Sequence, residues 1–516
     1  MAFKDKDVSL RLTPEKAFSE EGIRKALGLS SSDEFVILRR SIDARRSDIF
    51  VNLLCRINPS APAYKETVFR QVDPSKGQVL IVGSGPAGLF AALKLLEHGI
   101  KSIIFERGKD VHSRRVDIAK ISTEGVVNPT SNYSFGEGGA GTYSDGKLFT
   151  RSKKRGDNQG VLELFVQFGA PSSILYEAHP HIGTDKLPKI IENMRECIIS
   201  HGGEFHFQSL VTDLVISGNE VKGCVVKDLV SDSVTEYSGP VILAVGNAAR
   251  DTFRMAHSHG VAMESKNLAM GVRIEHPQHL IDCIQYHNNE GRGLYLPPSE
   301  YNFAVQTSYA GRSLGVYSFC MCPGGFVVPA ASGSSQVVVN GMSPSSRGGK
   351  FANSGLVVEF PADGPGFEDP LSVVRYQESL EERTFIAAGR TQKAPSQRVT
   401  DFLSDTLSST LPSSSYTPGL TSSLLSEVLP PEISKPLKEG LALVGQKMHG
   451  FVTEEAILIG TETRTSSPVR FLRDPVTLES ISHANLYPCG EGAGFAGGIV
   501  SSAIDGMRCA LSIIGE

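Results

Sequence analysis

The chain has 516 residues, a formal net charge of −5 and a pI near 6.3. This length predicts two or three domains, and a hydrophobic fraction of 40% is sufficient for their cores. The acidic balance argues against a dedicated nucleic-acid binder, because such proteins carry a basic surface.

The eight cysteines are scattered along the chain, and its first residues are strongly charged. No segment offers the uninterrupted apolar run of about 18 residues that a membrane-spanning helix needs. These features favour a cytoplasmic protein with reduced thiols and no membrane span.

Residues 1–74 predict a small N-terminal accessory domain. An alternating strand, a stretch of helical spacing and two further apolar runs give it the order βαββ. These elements are expected at 8–12, 14–27, 35–42 and 49–57. Four clustered arginines leave two interpretations open, an RNA or partner surface and a solvated hairpin face, and we favour the second. They are Arg39, Arg40, Arg45 and Arg46.

A parallel α/β pattern begins at residue 78. An apolar strand is expected at 78–82, a helix at 86–98 and a second strand at 101–106. The turn between the first strand and the helix fits the dinucleotide motif G-x-G-x-x-G. It reads Gly83-Ser84-Gly85-Pro86-Ala87-Gly88.

Each glycine of this motif has its own physical reason. Gly83 permits the tight turn after the strand, Gly85 lets a pyrophosphate approach the backbone, and Gly88 lets the helix pack close to the strand. The free N–H groups at the helix start then face the phosphates. Glu106 ends the next strand, where a carboxylate accepts hydrogen bonds from ribose hydroxyls. The pattern predicts a Rossmann-type dinucleotide site.

The C-terminal segment favours FAD over NAD as the cofactor. A strand running into Gly490-Glu491 supplies an acid for the ribityl chain. Gly497-Gly498-Ile499 opens a helix whose N–H groups would face the pyrimidine oxygens of the flavin. Ala244-Val245-Gly246 matches the segment that passes beneath FAD. We therefore predict FAD, bound non-covalently, since no His or Cys demands a covalent link. Further cofactor contacts are expected from Arg107, Gly139, Ser144, Asp145 and Val211.

The elements together predict an α/β fold with three parts. A Rossmann-type FAD-binding domain, with a parallel sheet and a β-meander, is expected from 75–255 and 456–516. A mixed α+β substrate or cap domain is inserted at 256–455. Within it, 404–437 is rich in Ser, Thr and Pro, yet leucines recur. We expect an ordered surface excursion there.

These motifs resemble the glutathione-reductase-type FAD superfamily. Within it, the chain is similar to a family of uncharacterised FAD-dependent dehydrogenases found widely in bacteria and in plastids. The segments that carry this second resemblance are 138–148, 179–185, 320–325, 462–468 and the one around Gly490. They span almost the whole chain. The resemblance implies a flavin-dependent oxidoreductase and gives no agreed substrate.

Features missing from the sequence narrow the flavin chemistry. Residues 56–196 contain no cysteine, so the C-x4-C pair of the disulfide reductases is missing. No second G-x-G-x-x-G follows a strand, so NAD(P)H would act only as a transient donor without its own domain. At the position of Glu491 the aromatic hydroxylases carry Asp. A Glu at this position resembles the fumarate-reductase branch.

We expect hydride transfer between flavin N5 and a small-molecule substrate held between the FAD-binding and cap domains. Two alternatives stay open: a flavin-dependent RNA-modifying protein, and a non-catalytic, redox-sensing flavoprotein. The charge balance argues against RNA.

Five residues are candidates for catalysis, each with a structural alternative. Arg464 and Arg470 either hold a substrate carboxylate or phosphate, or form a salt bridge at the domain junction. His181 and Asp185 either supply a proton donor or make loop hydrogen bonds. Lys147 either stabilises the reduced flavin or points to water.

Cys320 and Cys322 form a C-x-C pair. They are a redox pair or two buried thiols, and we favour buried thiols. Two ligands are too few for a tetrahedral metal site, and no metal is predicted. Cys489, beside Gly490, would extend a redox site if one existed.

Overall fold

The computed structural model describes residues 5–61, 64–149, 156–364 and 366–515. The N-terminal unit is a three-stranded antiparallel sheet, in the order β1-β3-β2, packed on two short helices. Its elements are β1 (Lys6–Leu12), α1 (Pro14–Ala17), α2 (Glu20–Leu27), β2 (Phe35–Asp43) and β3 (Phe50–Ile57).

The predicted βαββ order agrees with these elements, except that the helix is interrupted. Helix α1 ends at Ala17, and Ser19 caps α2 by accepting a hydrogen bond from the Gly22 backbone N–H. Strand β3 alternates between fully and partly buried positions, so one face packs on the helices. The unit therefore has its own small core.

A five-stranded parallel sheet follows, in the order β21-β10-β4-β5-β6. Its first strand and helix, at Gln78–Val82 and Pro86–Glu97, agree with the sequence pattern. The elements of this region are β4 (Gln78–Val82), α3 (Pro86–Glu97), β5 (Lys101–Phe105), α4 (Val111–Glu124), α5 (Asn158–Gln167), α6 (Leu187–Ser200), β6 (Glu204–His206), β7 (Ser209–Ser217), β8 (Glu220–Asp228), β9 (Val234–Ser238), β10 (Val241–Leu243) and α7 (Arg250–Ser258).

Strands β7, β8 and β9 form the predicted antiparallel meander. The first predicted meander strand, 205–216, is two strands in the structure. Its start, β6, pairs in parallel with β5 and belongs to the Rossmann-type sheet. A positive φ at Gln208 separates β6 from β7 and lets the chain change sheets.

The inserted region forms an eight-stranded sheet. Strand order is β13-β14-β16-β12-β19-β17-β18, and β15 pairs with β14. Its elements, with a short preceding strand, are β11 (Met263–Ser265), β12 (Leu268–Pro277), α8 (Gln278–Tyr286), β13 (Ala304–Tyr309), β14 (Arg312–Pro329), β15 (Val339–Met342), β16 (Phe351–Phe360), α9 (Ser372–Ala387), β17 (Ala394–Arg398), α10 (Val399–Leu403), β18 (Leu420–Ser422), α11 (Leu425–Val428), α12 (Pro431–Lys447) and β19 (Ile457–Glu462).

Two details of this region differ from the sequence-based expectation. Strand β19 lies in the large sheet, beyond the predicted boundary at residue 455. Segment 404–437 is ordered, and residues 404–424 lie mostly at the surface, as expected, but the part from residue 425 onward packs inward. Leu425, Leu429 and Leu437 are 0% exposed, because they pack into the core between the sheet and helix α12.

The chain returns to the first sheet at its end, through β20 (Val469–Phe471), β21 (Leu486–Pro488) and α13 (Ile499–Ile514). Helix α13 packs closely on α3: a Cβ on Gly506 would come within 2.0 Å of the Ala87 carbonyl oxygen. A Cβ on Gly141 would meet Ile499 at 3.3 Å and Pro86 at 3.6 Å, so the start of α13 lies beside the Gly83–Gly88 turn. Among the described residues, we find no helix with the length and apolarity needed to cross a bilayer.

Candidate functional site

The Gly83–Gly88 turn lies at the carboxyl edge of the parallel sheet. Gly83 has φ +102°, and a Cβ there would come within 2.5 Å of the Ala244 carbonyl oxygen. A Cβ on Gly88 would come within 2.0 Å of the Gly83 carbonyl oxygen. Packing of the protein itself therefore requires both glycines.

Gly85 is different. A Cβ there would meet only the Cα of Gly139, at 4.0 Å. Protein packing does not require a glycine at this position, so the space above it fits an external group that approaches the backbone. The first N–H groups of helix α3 have no partners inside the helix and point toward the same space.

Glu106 organises the loops around this turn. Its Oε2 accepts hydrogen bonds from the Ser84 N–H at 3.1 Å and the Ser84 hydroxyl at 2.8 Å. Its Oε1 accepts from the N–H groups of Gly108 and Gly136, both at 2.9 Å. The carboxylate thus ties three loops together, and the expected contact with ribose stays a prediction.

Arg114 holds the glycine-rich loop that covers the turn, a role not predicted from the sequence. It is fully buried and donates hydrogen bonds to the carbonyl oxygens of Asn132, Tyr133 and Glu137 at 2.7–2.8 Å. Burial lowers its pKa to about 10. In the sequence it is one of several charged residues on helix α4, and no local pattern distinguishes it.

Glu491 faces the same edge of the sheet from the C-terminal segment. Burial raises its pKa to about 7, and the Asn247 amide donates to it at 2.9 Å. Gly492 lies directly over Gly246, where a Cβ would come within 2.5 Å of the carbonyl oxygen. The three predicted FAD segments, around Gly85, Gly246 and Glu491, therefore meet at one place.

Helix α13 begins at this place as well. Its first residue is Ile499, and both preceding glycines, Gly497 and Gly498, are exposed. A Cβ added at either glycine would meet no atom within 4 Å. The helix start is thus open on the side that would face a bound flavin.

Several other predicted cofactor contacts have partners within the protein. Arg107 forms a two-point salt bridge with Asp251 at 2.9 Å. The Ser144 hydroxyl donates to the Gly141 carbonyl oxygen at 2.7 Å, and Val211 lies in the meander opposite Val226. Contacts of these residues with the cofactor remain predictions.

A large cavity lies where the N-terminal unit, the FAD-binding region and the inserted region meet. We call it the junction cavity, and its volume is about 1590 Å³. Its wall includes the start of α13 and charged side chains from the other segments. Representative lining residues are Arg40, Lys147, His179, Glu300, Cys320 and Gly498.

A connected charged cluster borders this cavity. Arg347 bridges Asp145, at 2.6 and 3.1 Å, and Glu300, at 2.6 Å. Glu300 also binds the His179 ring at 3.1 Å, which raises the pKa of His179. Both carboxylate oxygens of Asp145 accept hydrogen bonds from Arg347 of the inserted region, and the expected contact of Asp145 with the cofactor stays a prediction. We call Asp145, His179, Glu300 and Arg347 the open cluster.

Lys147 also lines the cavity. Burial opposes its charge, but the nearby Cys320, Cys322 and Asp145 groups raise its pKa overall, so it is protonated at neutral pH. It does not point freely to water, because only part of the residue is exposed. The predicted role of Lys147 near a flavin stays a prediction.

Two predicted proton donors have other roles. Both oxygens of Asp185 accept hydrogen bonds from Ser345, at 2.6 Å from its N–H and 2.7 Å from its hydroxyl. Burial would raise the pKa of Asp185, yet these bonds lower it, so the group is ionised and cannot donate a proton. His181 contacts the Ser345 carbonyl oxygen at 3.1 Å, and burial lowers its pKa. His179, which the sequence analysis did not single out, lines the junction cavity, and so does His181.

Arg464 does not reach a substrate site. It forms a two-point salt bridge with Glu381, at 2.9 and 3.1 Å, and donates to Ser332 at 2.8 Å. Arg250 binds the same carboxylate at 2.7 and 2.8 Å. The expectation of a substrate carboxylate on Arg464 is wrong, and its structural alternative, a brace at the junction, is correct. Arg470 is exposed beside Phe495 and does not line the cavity.

The N-terminal unit forms one side of the cavity. The N–H of Arg40 donates a hydrogen bond to the Tyr176 carbonyl oxygen at 2.8 Å. In return, the carbonyl oxygen of Arg40 accepts a hydrogen bond from the N–H of Ala178 at 2.9 Å. The Arg40 side chain binds Glu177. Arg45 pairs with Asp43 at 2.8 Å. Two of the four clustered arginines thus have acidic partners, which reduces their contribution to a basic surface.

Three segments match family models. Residues 267–465 match an FAD-dependent protein, C-terminal domain-like family, and residues 76–120 match an FAD binding domain. Residues 4–58 match a domain of unknown function. Together with the glycine turn and the meeting segments above, these matches identify FAD as the cofactor.

Solved structures with a detectable likeness are distant. The FAD complex of glycerol-3-phosphate dehydrogenase from Bacillus halodurans is 12% identical over 87% of this chain and 66% of that chain, with a TM-score of 0.36. A flavin-dependent brominase is 15% identical over 84% and 78%, with a TM-score of 0.37. The open conformation of a flavocytochrome c3 fumarate reductase is 12% identical over 85% and 78%, with a TM-score of 0.33. These values assign no reaction to this chain.

A relative of the whole chain is known from sequence. An uncharacterized protein of Clostridium beijerinckii is 41% identical over an alignment of 539 positions, which covers 100% of this chain and 99% of the relative. Identity at this level over both full lengths shows that the two proteins belong to one family. The descriptions of the matched family models name FAD as the cofactor. The chain belongs to the same family as this Clostridium beijerinckii protein, a family of FAD-dependent proteins.

Proposed function

We propose that this protein is an FAD-dependent oxidoreductase that exchanges a hydride with a small molecule bound in the junction cavity. The observation that carries the proposal is the cavity itself. Its wall joins the open start of α13, expected beside the flavin, to the charged residues Lys147 and His179. A shielded, non-catalytic flavin would not require such a space, so the cavity favours an enzyme over a redox sensor.

The residues present fit FAD. Gly85 and the start of α3 would receive the pyrophosphate, and Glu491 would accept a hydrogen bond from the ribityl chain. Gly497 and Gly498 leave the N-terminus of α13 open toward the ring. When bound, FAD supplies the hydride chemistry, and the protein supplies orientation and charge.

The side chains of the cavity wall have separate tasks. Lys147 places a buried positive charge that attracts an anionic group on the substrate or cofactor. His179 holds a proton at its ring because Glu300 accepts a hydrogen bond from it, and the ring faces the cavity. His179 would therefore donate a proton to a substrate atom as the hydride is transferred.

Cofactor binding can be tested with a glycine substitution. A Gly85→Ala variant should fold, because its Cβ meets no protein atom closer than 4.0 Å. It should lose FAD, because the methyl group occupies the space expected for the pyrophosphate. Gly364→Ala is the matched control: a Cβ there also meets nothing within 4 Å, and it lies far along the chain in the inserted region. Equal FAD absorbance in both purified variants would contradict the assignment of the pyrophosphate site.

The reaction can be tested by anaerobic titration of the purified, yellow protein. NADH, NADPH and panels of small organic acids and alcohols are added while the flavin absorbance is followed. We expect at least one compound to bleach the flavin, and a Lys147→Met variant to react about tenfold more slowly if one buried charge contributes about 1.4 kcal/mol. A flavin that is reduced at the same rate in both proteins would remove Lys147 from the mechanism.

A further inference from the structure

The Cys320-x-Cys322 pair lies on an irregular part of strand β14. In a regular strand, residues two apart are about 6.8 Å from each other along the strand, too far for their sulfurs to bond. Here the register with β16 shifts between Phe319 and Cys322, and Cys320 has φ +45°. A β-bulge with a residue in the left-handed region shortens this separation.

The result is that the Cys322 side chain turns back toward residue 320. Its thiol donates a hydrogen bond to the Cys320 carbonyl oxygen at 3.4 Å. A left-handed conformation at a residue with a side chain is unfavourable and is typical of functional positions. The bulge thus places the Cys322 thiol against residue 320.

Two positive charges lie beside the pair. The Arg273 guanidinium donates to the Cys320 carbonyl oxygen at 2.7 Å and to the Cys322 sulfur at 3.4 Å. Lys147 lines the same cavity as Cys320, and its charge acts on both sulfurs. The neighbouring Cys322 thiol and the charges of Lys147 and Arg273 lower the pKa of Cys320. The neighbouring Cys320 group and burial raise the pKa of Cys322.

The two cysteines differ in access. Cys320 is partly exposed and lines the junction cavity, whereas Cys322 is 0% exposed. An accessible thiolate next to a buried thiol is the arrangement of an attacking and a resolving cysteine.

A second thiol pair in the molecule provides a contrast. The sulfurs of Cys489 and Cys509 lie within 4.8 Å of each other, but both residues are 0% exposed, and the neighbouring Cys509 and burial raise the pKa of Cys489. Neither lines the junction cavity. Proximity of two thiols alone therefore does not distinguish Cys320 and Cys322; cavity access and the adjacent cations do.

We propose that Cys320 and Cys322 are a redox-active dithiol that reduces a small disulfide entering the junction cavity. This activity goes beyond the proposed hydride transfer and does not depend on it. The sequence pattern favoured two inert buried thiols; the bulge, the cavity and the adjacent cations are what reverse that preference.

The step balances without another reactant. The Cys320 thiolate attacks one sulfur of the substrate disulfide, whose S–S bond breaks as a mixed disulfide forms and one thiolate leaves. The Cys322 sulfur then attacks that of Cys320 and expels the other half of the substrate. The protein pair is oxidised to a disulfide, and the substrate is reduced by two electrons to one thiol and one thiolate. The proton of Cys322 ends on one of these leaving groups.

The test is a single turnover of the intact, FAD-loaded protein with oxidised glutathione, read by thiol counts and peptide masses. We expect the loss of two protein thiols, an intrachain link between residues 320 and 322, and Cys489 and Cys509 still reduced. A Cys322→Ser variant should trap glutathione on Cys320, because the resolving thiol is gone. A Cys283→Ser variant removes the partly exposed Cys283 as a source of background.

A pH series separates an activated thiol from an ordinary one. Iodoacetamide should alkylate Cys320 at least about tenfold faster than Cys283 at pH 6, and Lys147→Met should move the Cys320 profile to higher pH. Glutathione trapped elsewhere, or alkylation of Cys320 no faster than that of Cys283, would overturn the proposal. The trapping of glutathione on Cys320 in the Cys322→Ser variant decides the test by itself, even where a Cys320→Ser variant does not fold. Masses and thiol counts do not require flavin turnover, so this failure is distinguishable from a failure of hydride transfer.

Discussion

Two arginine–carboxylate clusters connect the FAD-binding and inserted regions, and their surroundings differ. In the first, which we call the closed cluster, Glu381 of α9 binds Arg250 of α7 and Arg464 beyond β19. The side chains of these three residues are at most 8% exposed. In the open cluster, Arg347 is equally buried, but Glu300 is 27% exposed and His179 60% exposed, both on the junction cavity.

The difference separates charges that are satisfied by other buried side chains from charges that face a cavity. Every strong partner of Glu381 is another buried side chain, so the closed cluster offers nothing to a ligand. The open cluster is anchored by Arg347 at one end and reaches the cavity through His179 at the other. Burial of charge alone therefore does not mark a site; a charged group that is held by the protein and still faces a cavity does.

The largest expected effect is on the closed cluster. Glu381→Gln removes the carboxylate that neutralises two buried guanidinium groups, and we expect a loss of about 3–5 kcal/mol in the free energy of unfolding. Urea unfolding followed by circular dichroism measures this loss in the free energy of unfolding. Glu378→Gln, one turn away on the same helix, is the matched control, since its pair with Arg254 is partly exposed and is worth less than about 1 kcal/mol.

This contribution has a defined pH dependence. Burial would raise the pKa of Glu381, but Arg250 and Arg464 lower it below its ordinary value of 4.5. The stabilisation is therefore complete above pH 4.5 and is lost as the pH falls through the lower, folded-state pKa. The difference between wild type and Glu381→Gln should be constant near neutral pH and shrink in acid. A difference that grows in acid would contradict the assignment.

An intermediate effect is expected for the anchor of the open cluster. Arg347→Met leaves the buried Asp145 carboxylate without its two-point partner, which costs about 1–3 kcal/mol in the free energy of unfolding. The cost is smaller than for Glu381 because Lys147 lies nearby and Glu300 can be hydrated from the cavity. Thermal unfolding of both variants in parallel provides the comparison. A loss as large as that of Glu381→Gln would show that the open cluster is also purely structural.

The glycine turn was predictable because its requirements are local. Strand 78–82, the helix start and the spacing of Gly83, Gly85 and Gly88 depend on neighbouring residues, and the structure agrees with them. The strand and helix around Gly490 and Ile499 were predictable for the same reason.

The charged clusters were not predictable because their members are distant in the sequence. Asp145, Glu300 and Arg347 come together only when the inserted sheet packs on the glycine-rich loop. The correct alternative for Arg464, a brace at the junction, was available but could not be selected without the position of Glu381. Similarly, C-x-C spacing does not reveal a bulge, which is a property of the pairing of β14 with β16.

The smallest expected effect on stability, and the most informative for function, is at His179. The hydrogen bond to Glu300 raises the pKa of His179 above its ordinary value of 6.5. Its stabilisation is therefore complete below pH 6.5 and is lost as the pH rises through the raised value. Because the ring is 60% exposed, solvent screening limits this contribution to less than about 1 kcal/mol.

Proton NMR titration of the ring should give a pKa that falls toward the ordinary value in Glu300→Gln. If the stability of His179→Gln is nearly that of wild type while flavin reduction by an active compound slows about tenfold or more, the ring acts on a ligand in the cavity. Equal losses in stability and rate would instead make His179 one more member of a structural brace.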